Sequence, residues 1–328
     1  MKLWLLIICT FVFSGYIAAQ KSVFYSIKND GRATPEIITS QDAKTINVKM
    51  DIEGFSSQTV SFNGLAEKIT LHGGIGNMQQ GVPDIQHLLA SIAINPTGNI
   101  SLTVKSSEYT DYPSFNIAPS TGDPGLYQTS ELLTDTSIYN TNAFWPSTLA
   151  ELSEPYIIGS IRGVSVHFYP VQYNPVTQVL RVYHHIEVAI ESLDEIGRNE
   201  LTRLSPNSHL LTNGLTGDHF INEIPSMAAD RYAAINEEQG RMLIIAHPSF
   251  IESMQPFVKW KNQKGIKCEM VDVTSIGGSE QIKLYVSEYY YTNGLTFLLL
   301  VGDEAYVPSC QAAKGLSDIT YGYIAGDD

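Results

Sequence analysis

The chain has 328 residues, 43% of them hydrophobic and 16% charged, a balance that belongs to packed domains and argues against disorder. Its length allows roughly two domains. A formal net charge of −14 removes the basic surface that phosphate neutralisation needs, so nucleic acid is not an expected partner.

Residues 1–20, "MKLWLLIICTFVFSGYIAAQ", predict a secretory signal. Lys2 supplies the positive n-region, and Leu3 to Phe13 form an apolar h-region of about eleven residues, short for a bilayer span. Ala18 and Ala19 place cleavage before Gln20 or Lys21, so the protein is expected to be secreted or held at the cell surface. "LIIC" at Cys9 departs from a lipoprotein box, because Ile8 stands where a small residue belongs. No other stretch is long and apolar enough to span a membrane. With Cys9 removed alongside the signal, Cys268 and Cys310 remain, too few for a disulfide framework. Stability must then come from packed cores.

Residues 21–225 read as β-rich. "TINVKMDIEGF" (45–55) places Ile46, Val48, Met50 and Ile52 on one face, and "ISLTVKS" (100–106) alternates Ile100, Leu102 and Val104. "GVSVHFYPVQY" and "QVLRVYHHIEVAIES" repeat that period, with "YNPVTQ" as the turn between strands. "DIQHLLASIAI" is the segment here that could be helical. Residues 111–153 are rich in Pro, Gly, Ser and Thr and read as one long irregular segment, a kind that is usually functional or mobile.

After Gly240 the pattern changes. "RMLIIA" (241–246) is a continuous apolar run, as in a buried parallel strand. Phe250, Met254, Phe257, Val258 and Trp260 give the next segment a helical face, with Gly265 placed for its C-terminal cap. "IKCEMVDV" (266–273) is a second strand, "SEQIKLYVSEYYYTNG" (279–294) a second helix with Ser279 as the expected cap, and "LTFLLLVGD" (295–303) a third strand. The β-α-β-α-β order predicts a parallel, doubly wound sheet. Three parallel strands make a poor independent domain, so the sequence is expected to be part of a longer chain.

Candidate chemistry is sparse. His247 ends the first α/β strand and Cys310 follows the third, so a thiol-imidazole pair at the carboxyl edge is conceivable, but no local signal fixes one against the other. Cys268 lies inside a strand and reads as a small buried hydrophobe. His184 and His185 are strand neighbours pointing to opposite faces, and His72 and His87 have no partner at metal-ligand spacing, so no zinc site is expected. Asp303 closes "LLLVGD", and Asp318, Asp327 and Asp328 follow in a polar tail, a composition that suits either a hard cation or a solvated acidic loop.

Taken together, "WKNQKG" (260–265), "LLLVGD" (298–303) and "YGYIAGDD" (321–328) resemble the opening of the gingipain-type cysteine peptidases, family C25. "GVPDIQHLLASIAINP" (81–96) and "QYNPVTQVLRVYHHIEVAI" (172–190) resemble that family's propeptide. The resemblance implies a signal at 1–20, a β-rich propeptide at 21–231 and the first part of an α/β, caspase-like peptidase domain at 232–328. It implies no catalytic residue in this sequence, since the family's nucleophilic Cys and its His belong to later strands. His247 matches a position that is not catalytic in the family. The resemblance further implies propeptide removal at Arg231-Tyr232, and a structural calcium ion held by Asp303, the carbonyl of Ala325 and Asp328. The low content of bulky apolar groups around "SMAAD" and "AAINEEQG" agrees with an exposed, cleavable junction.

The resulting expectation is the N-terminal portion of a secreted cysteine endopeptidase zymogen that acts on protein or peptide substrates. Its inhibitory or chaperoning propeptide would bind its own catalytic domain. The competing expectation is a secreted or surface binding protein of the same architecture without the nucleophile. If residues 111–153 cover the substrate cleft, they do so without offering a cation, because no Lys or Arg lies between Lys105 and Arg162.

Overall fold

Wherever apolar residues alternate in the first two thirds of the chain, they form strands. The computed structural model describes residues 22–27, 35–42, 44–123, 133–206, 219–223, 240–312 and 315–326. The first part comprises β1 (Ser22–Ser26), β2 (Glu36–Gln41), β3 (Thr45–Asp51), β4 (Gly54–Ser61), β5 (Leu65–Thr70), β6 (Leu88–Ala93) and β7 (Asn99–Pro113). After a single helical turn, α1 (Thr136–Tyr139), come β8 (Ala150–Leu152), β9 (Tyr156–Ile158), β10 (Ile161–Phe168), β11 (Val171–Asn174) and β12 (Val179–Leu193).

These strands make three antiparallel sheets, ordered β1-β4-β5, β6-β10-β8 with β9 also on β10, and β11-β12-β3-β2 with β7 also on β12. The turn between β11 and β12 has a clear local cause. The Asn174 Oδ1 accepts from the Val176 and Thr177 amides at 3.1 and 3.2 Å, and Gln178 completes the reversal with φ 53°. The core is shared by all three sheets. Val48 and Met50 of β3, Val164, Val166 and Phe168 of β10, and Leu180, Val182, Ile186 and Val188 of β12 are fully buried in one cluster with Phe55 and Ile69. Each such side chain contributes about 1.5–3 kcal/mol by leaving water.

Two expectations are corrected. "DIQHLLASIAI" is not helical; it contains β6, antiparallel to β10 from Leu88↔Phe168 to Ala93↔Gly163, and His87 is bridged to Ile75. Pairing with a central strand overrides the local helix pattern. Nor are the described parts of 111–153 irregular filler. Ile117 bridges Glu67, Pro119 bridges Pro83, and Trp145 bridges Tyr173, while Phe115, Ile117 and Ser120 are buried. The Tyr139 hydroxyl donates to the Ile117 carbonyl at 3.0 Å. Single bridges to distant strands carry no period, so the sequence pattern does not show them.

The second part contains β13 (Arg241–Ala246), α2 (Pro248–Gln263), β14 (Lys267–Asp272), α3 (Ser279–Asn293), β15 (Phe297–Val301) and a hairpin of β16 (Cys310–Ala312) and β17 (Gly315–Ser317). The first three of these strands form a parallel sheet ordered β14-β13-β15. Strand alternation sends Met242, Ile244 and Ala246 toward α2, and Leu243 and Ile245 toward α3, so the helices cover opposite faces. The sheet is doubly wound, as the sequence order predicts. Gly294 ends α3 in the left-handed region at φ 77°. Ser279 is the first residue of α3 rather than its cap; Gly278 takes that position and offers no side chain.

Candidate functional site

Ligands of open parallel sheets gather at the carboxyl ends of the strands. Here that edge carries Asp272, His247 and Asp303, and each serves as a local cap. The Asp272 Oδ1 accepts from the Thr274 amide at 2.8 Å. His247 caps α2, its Nδ1 accepting from the Ser249 amide at 3.3 Å, and its ring lies 4.5 Å from that of Tyr306. Asp303 is exposed; its Oδ1 accepts from the Ala305 amide at 3.0 Å, and its carbonyl accepts from the Tyr306 and Val307 amides.

No thiol-imidazole pair is assembled among these groups. His247 faces Ser249 and Tyr306, whereas Cys310 is buried on β16 against the Tyr321 hydroxyl. Burial, then Cys310 and Asp318, push the Tyr321 phenol up. Cys268 is half-buried on β14, and burial raises its thiol, as suits a packing residue rather than a nucleophile.

The histidines separate as strand geometry requires. The His184 Nδ1 lies 3.9 Å from a Glu108 carboxylate oxygen, and the His185 Nδ1 lies 2.9 Å from the Asp51 Oδ1. The fold also makes a pair that the sequence does not reveal. The His87 Nε2 lies 3.2 Å from the His167 Nδ1, and the rings stack with centroids 5.3 Å apart. Nothing local signals this contact, because it depends on the register of β6 on β10, which sets Leu89 opposite His167 and so His87, two residues earlier, on the same face. Among the described residues, no three His, Cys, Asp or Glu side chains form a metal-holding cluster.

The proposed calcium donors are not brought together by any contact in the described residues. Asp303 stands past β15 at the carboxyl edge. Ala325 helps line a cavity of about 90 Å³ with Ile157, Gly159 and Tyr290. Asp328 lies outside the described residues. One exposed carboxylate and one carbonyl fall short of the six to eight oxygens that calcium takes, so the described donors alone do not fit the ion.

That small cavity belongs to a seam between the two parts of the chain. The Ser205 hydroxyl donates to the Tyr290 carbonyl at 3.1 Å, and the Tyr290 hydroxyl donates to the Gly159 carbonyl at 3.5 Å. The Arg203 guanidinium sits 4.2 Å over the Tyr291 ring, whose hydroxyl donates to the Ile324 carbonyl at 3.3 Å. Tyr290 and Tyr291 are in the last turn of α3. That helix runs back against the parallel strands, so the seam lies toward their amino ends, away from Asp303 and His247.

Upstream of the junction, residues 219–223 are strapped to the β-rich part. The Asn222 amide side chain makes a two-way bond with the Ala93 backbone, accepting at 2.8 Å and donating at 2.9 Å. The Ile221 amide donates to the Ser91 carbonyl, and the Phe220 ring fills the space where a Gly163 Cβ would stand, 2.3 Å away. The expected processing bond, Arg231-Tyr232, lies outside the described residues, between this strap and Gly240.

Comparison with known proteins adds a family to this geometry. The model of the C25 propeptide matches residues 30–203, and that of peptidase family C25 matches residues 235–328. Gingipain R2 of Porphyromonas gingivalis (strain ATCC BAA-308 / W83) is 31% identical over 296 residues, covering 88% of this chain and 40% of its own length. Lys-gingipain of the same species is 24% identical over 351 residues, covering 99% of this chain and 20% of its own. This chain therefore spans well under half the length of either relative. Among solved structures, the complex of Porphyromonas gingivalis RgpB pro- and mature domains aligns with a TM-score of 0.50 at 27% identity, covering 58% of this chain and 98% of that one.

Proposed function

The chain belongs to peptidase family C25, joining a C25 propeptide to the start of a C25 peptidase domain, and from this we propose that it is the N-terminal portion of a secreted cysteine endopeptidase zymogen. The observation that carries the reading is the succession of the two family matches, with a 31-residue gap (204–234) that contains Arg231-Tyr232. The seam of Ser205, Arg203, Tyr290 and Tyr291 supports an intramolecular hold of the propeptide on its own peptidase domain. In this reading the peptidase part is the opening of a caspase-like domain. The nucleophilic thiolate and the imidazole acid/base come from the portion following Asp328. The enzyme cleaves peptide bonds through a thioester acyl-enzyme. No helix among the described residues is long and apolar enough to cross a membrane. Export by the signal at 1–20 belongs to the same proposal.

The test is direct. The secreted full-length enzyme should begin at Tyr232 on N-terminal sequencing, and thiol alkylation should abolish its peptide hydrolysis. A mature N-terminus within 241–250 would remove all or part of β13 from the enzyme and overturn the junction. Purified residues 21–231, added back, should inhibit the mature enzyme. Any role of the 111–153 segment in that inhibition is tested by a Gly/Ser replacement confined to 124–132, which lie outside the described residues. A wider replacement would remove the buried Phe115, Ile117 and Ser120. Undiminished inhibition would discard residues 124–132 as the inhibitory element.

Calcium enters as a proposal resting on the family resemblance and on oxygen-donor chemistry, with Asp303, the Ala325 carbonyl and Asp328 as three of its ligands. In the full enzyme Asp303→Ala should lower the melting temperature more in calcium than in chelator, where only the bond from the Ala305 amide is lost. The stabilisation lost would be about 2.7 kcal/mol where free calcium is a hundredfold above its dissociation constant. Equal losses in both buffers would assign Asp303 to capping its own turn, as its bond to Ala305 already shows.

A further inference from the structure

The imidazole pair stands apart from everything the family reading uses, and its surroundings connect it to the segment that follows β7. His167 lies on β10, directly opposite Leu89 of β6 and Glu151 of β8, while its neighbours Val166 and Phe168 point into the core. His87 is fixed by its backbone, which exchanges both hydrogen bonds with Ile75 at 2.8 and 3.0 Å. The imidazole contact is therefore a cross-tie between residues 75–87 and the sheet.

Residues 75–87 in turn hold the start and the end of the segment after β7. The Gly81 amide donates to the Ser120 carbonyl at 2.9 Å, the Ser120 amide to the Val82 carbonyl at 2.7 Å, and the Asp123 amide to the Met78 carbonyl at 3.1 Å. The Ser120 hydroxyl donates to the Asn77 carbonyl at 3.0 Å, and the Asp135 amide donates to the Gly81 carbonyl at 2.9 Å. We propose that the His87–His167 pair is a proton-operated clasp, closed at neutral pH and open in mild acid, that governs how firmly residues 118–123 and Asp135 are anchored. This rests on reading residues 21–231 as a propeptide, and it gives that propeptide a built-in acid response.

The chemistry follows from imidazole tautomers. A neutral pair meets through one N–H and one lone pair. A first proton can enter at the donor ring's outer nitrogen and leave the contact intact. A second proton must enter at the acceptor's contact nitrogen, which places two N–H groups and two positive charges face to face. The ionisable groups around His87 are His167 on β10, Glu151 on β8, and Tyr169, whose hydroxyl donates to the Glu151 carboxylate and whose ring lies 5.4 Å from that of His87. Burial holds the His87 imidazole below its ordinary value of 6.5, the positive field of His167 adds to that, and Glu151 offsets part of it. The sign is fixed by this direction. The fold favours neutral His87, so its contribution to stability is whole above the ordinary histidine value and is lost as pH falls below it toward the depressed folded value.

The experiment is amide exchange on the whole chain at several pH values, read as protection factors at Gly81, Ser120, Asp123 and Asp135. As pH falls from about 7.5 into mild acid these should decline, toward a limit of about tenfold for each unit by which the His87 midpoint is displaced, while Val188 in the β12–β3 ladder stays protected. His87→Gln keeps a polar group for His167 and cannot titrate, so its protection should be flat across the same range. A flat unsubstituted chain, or an equal acid loss in His87→Gln, overturns the clasp. Imidazole NMR titration gives a second reading should His87→Gln fold poorly. In His167→Asn the His87 midpoint should rise, and independence of the two rings would overturn the proposal. None of these readouts uses enzyme activity, so the clasp and the inhibitory role of residues 21–231 fail separately.

Discussion

The two parts of the chain bury their strands very differently. In the β-rich part, β3 alternates half-buried and fully buried residues along its whole length, and Ile46, Val48 and Met50 join one core that draws on three sheets. In the part after Gly240 only β13 is fully covered. The residues of β15 are all half-buried, β14 is partly exposed, and α2 has no fully buried residue. The apolar side chains there divide into two small clusters, one on each face of the sheet. Burial of apolar area is the main favourable term in folding, so the first part carries its own stability and the second leans on neighbours. The seam at Tyr290 and Tyr291 shows one such neighbour to be the propeptide. The contact itself, rather than the incomplete cover of the parallel sheet, supports the proposal that the propeptide chaperones as well as inhibits.

The largest effect should come from the charge at the heart of the self-sufficient part. Arg162 is 1% exposed. Its guanidinium donates to the carbonyls of Arg198 at 2.6 Å, Asn95 at 3.0 Å and Gly98 at 2.9 Å, tying β10 both to the 95–98 connection and to Arg198. Arg162→Met would leave those carbonyls without their donor and should destabilise the β-rich part by about 3–5 kcal/mol in urea unfolding. If the comparison holds, the peptidase part should lose its fold in the same transition. A second transition left at its original urea concentration would show that the parts are independent. Gly163→Ala is the next step down. The new methyl would meet the Phe220 ring at 2.3 Å and should cost about 1–3 kcal/mol. It should also release residues 219–223, seen as faster proteolysis upstream of Arg231. Unchanged cleavage in that stretch would remove the strap from the account.

Much of this division is legible in the sequence, for a physical reason. Period-two alternation is a local signal, and so is the βαβ succession, so β3, β7, β10, β12 and the three-stranded parallel sheet can all be read directly from the residues. The cap at Gly294 is legible for the same reason, since a left-handed φ demands glycine locally; at α2 the cap is Lys264, and Gly265 takes the left-handed φ of 80° one residue later. What is illegible depends on register between distant strands. The helix reading of "DIQHLLASIAI" fails because pairing with β10 decides its state. The His87–His167 pair, the anchoring of 115–120 and the Arg162 carbonyl cage join residues up to 80 apart and leave no periodic trace. The candidate site divides similarly. The position of Asp303 after the third strand can be read from "LLLVGD", whereas the seam at α3 cannot, because its contacts lie across the two parts of the chain.

The smallest expected effect is the one that bears most directly on the seam. Arg203 over Tyr291 is a cation–π contact across the two parts, worth about 0.5–1 kcal/mol where solvent reaches it. The Tyr291 hydroxyl makes a different bond, to the Ile324 carbonyl within the peptidase part. The two roles separate by substitution. Tyr291→Phe keeps the ring face for Arg203 and loses only the internal bond; Tyr291→Leu loses both; Arg203→Met loses the cation and keeps an apolar stem. Under the proposed cleavage at Arg231-Tyr232 the two parts would be held by non-covalent contacts alone, so the dissociation constant of residues 21–231 from the mature enzyme would read the seam directly. Arg203→Met and Tyr291→Leu should each weaken binding by about two- to fivefold, and Tyr291→Phe should leave it nearly unchanged. The double variant Arg203→Met/Tyr291→Leu should be no weaker than either single one, because both remove the same interaction. Additive losses would mean that Arg203 and Tyr291 act through separate partners, and the seam would then have to rest on the Ser205 and Tyr290 hydrogen bonds alone.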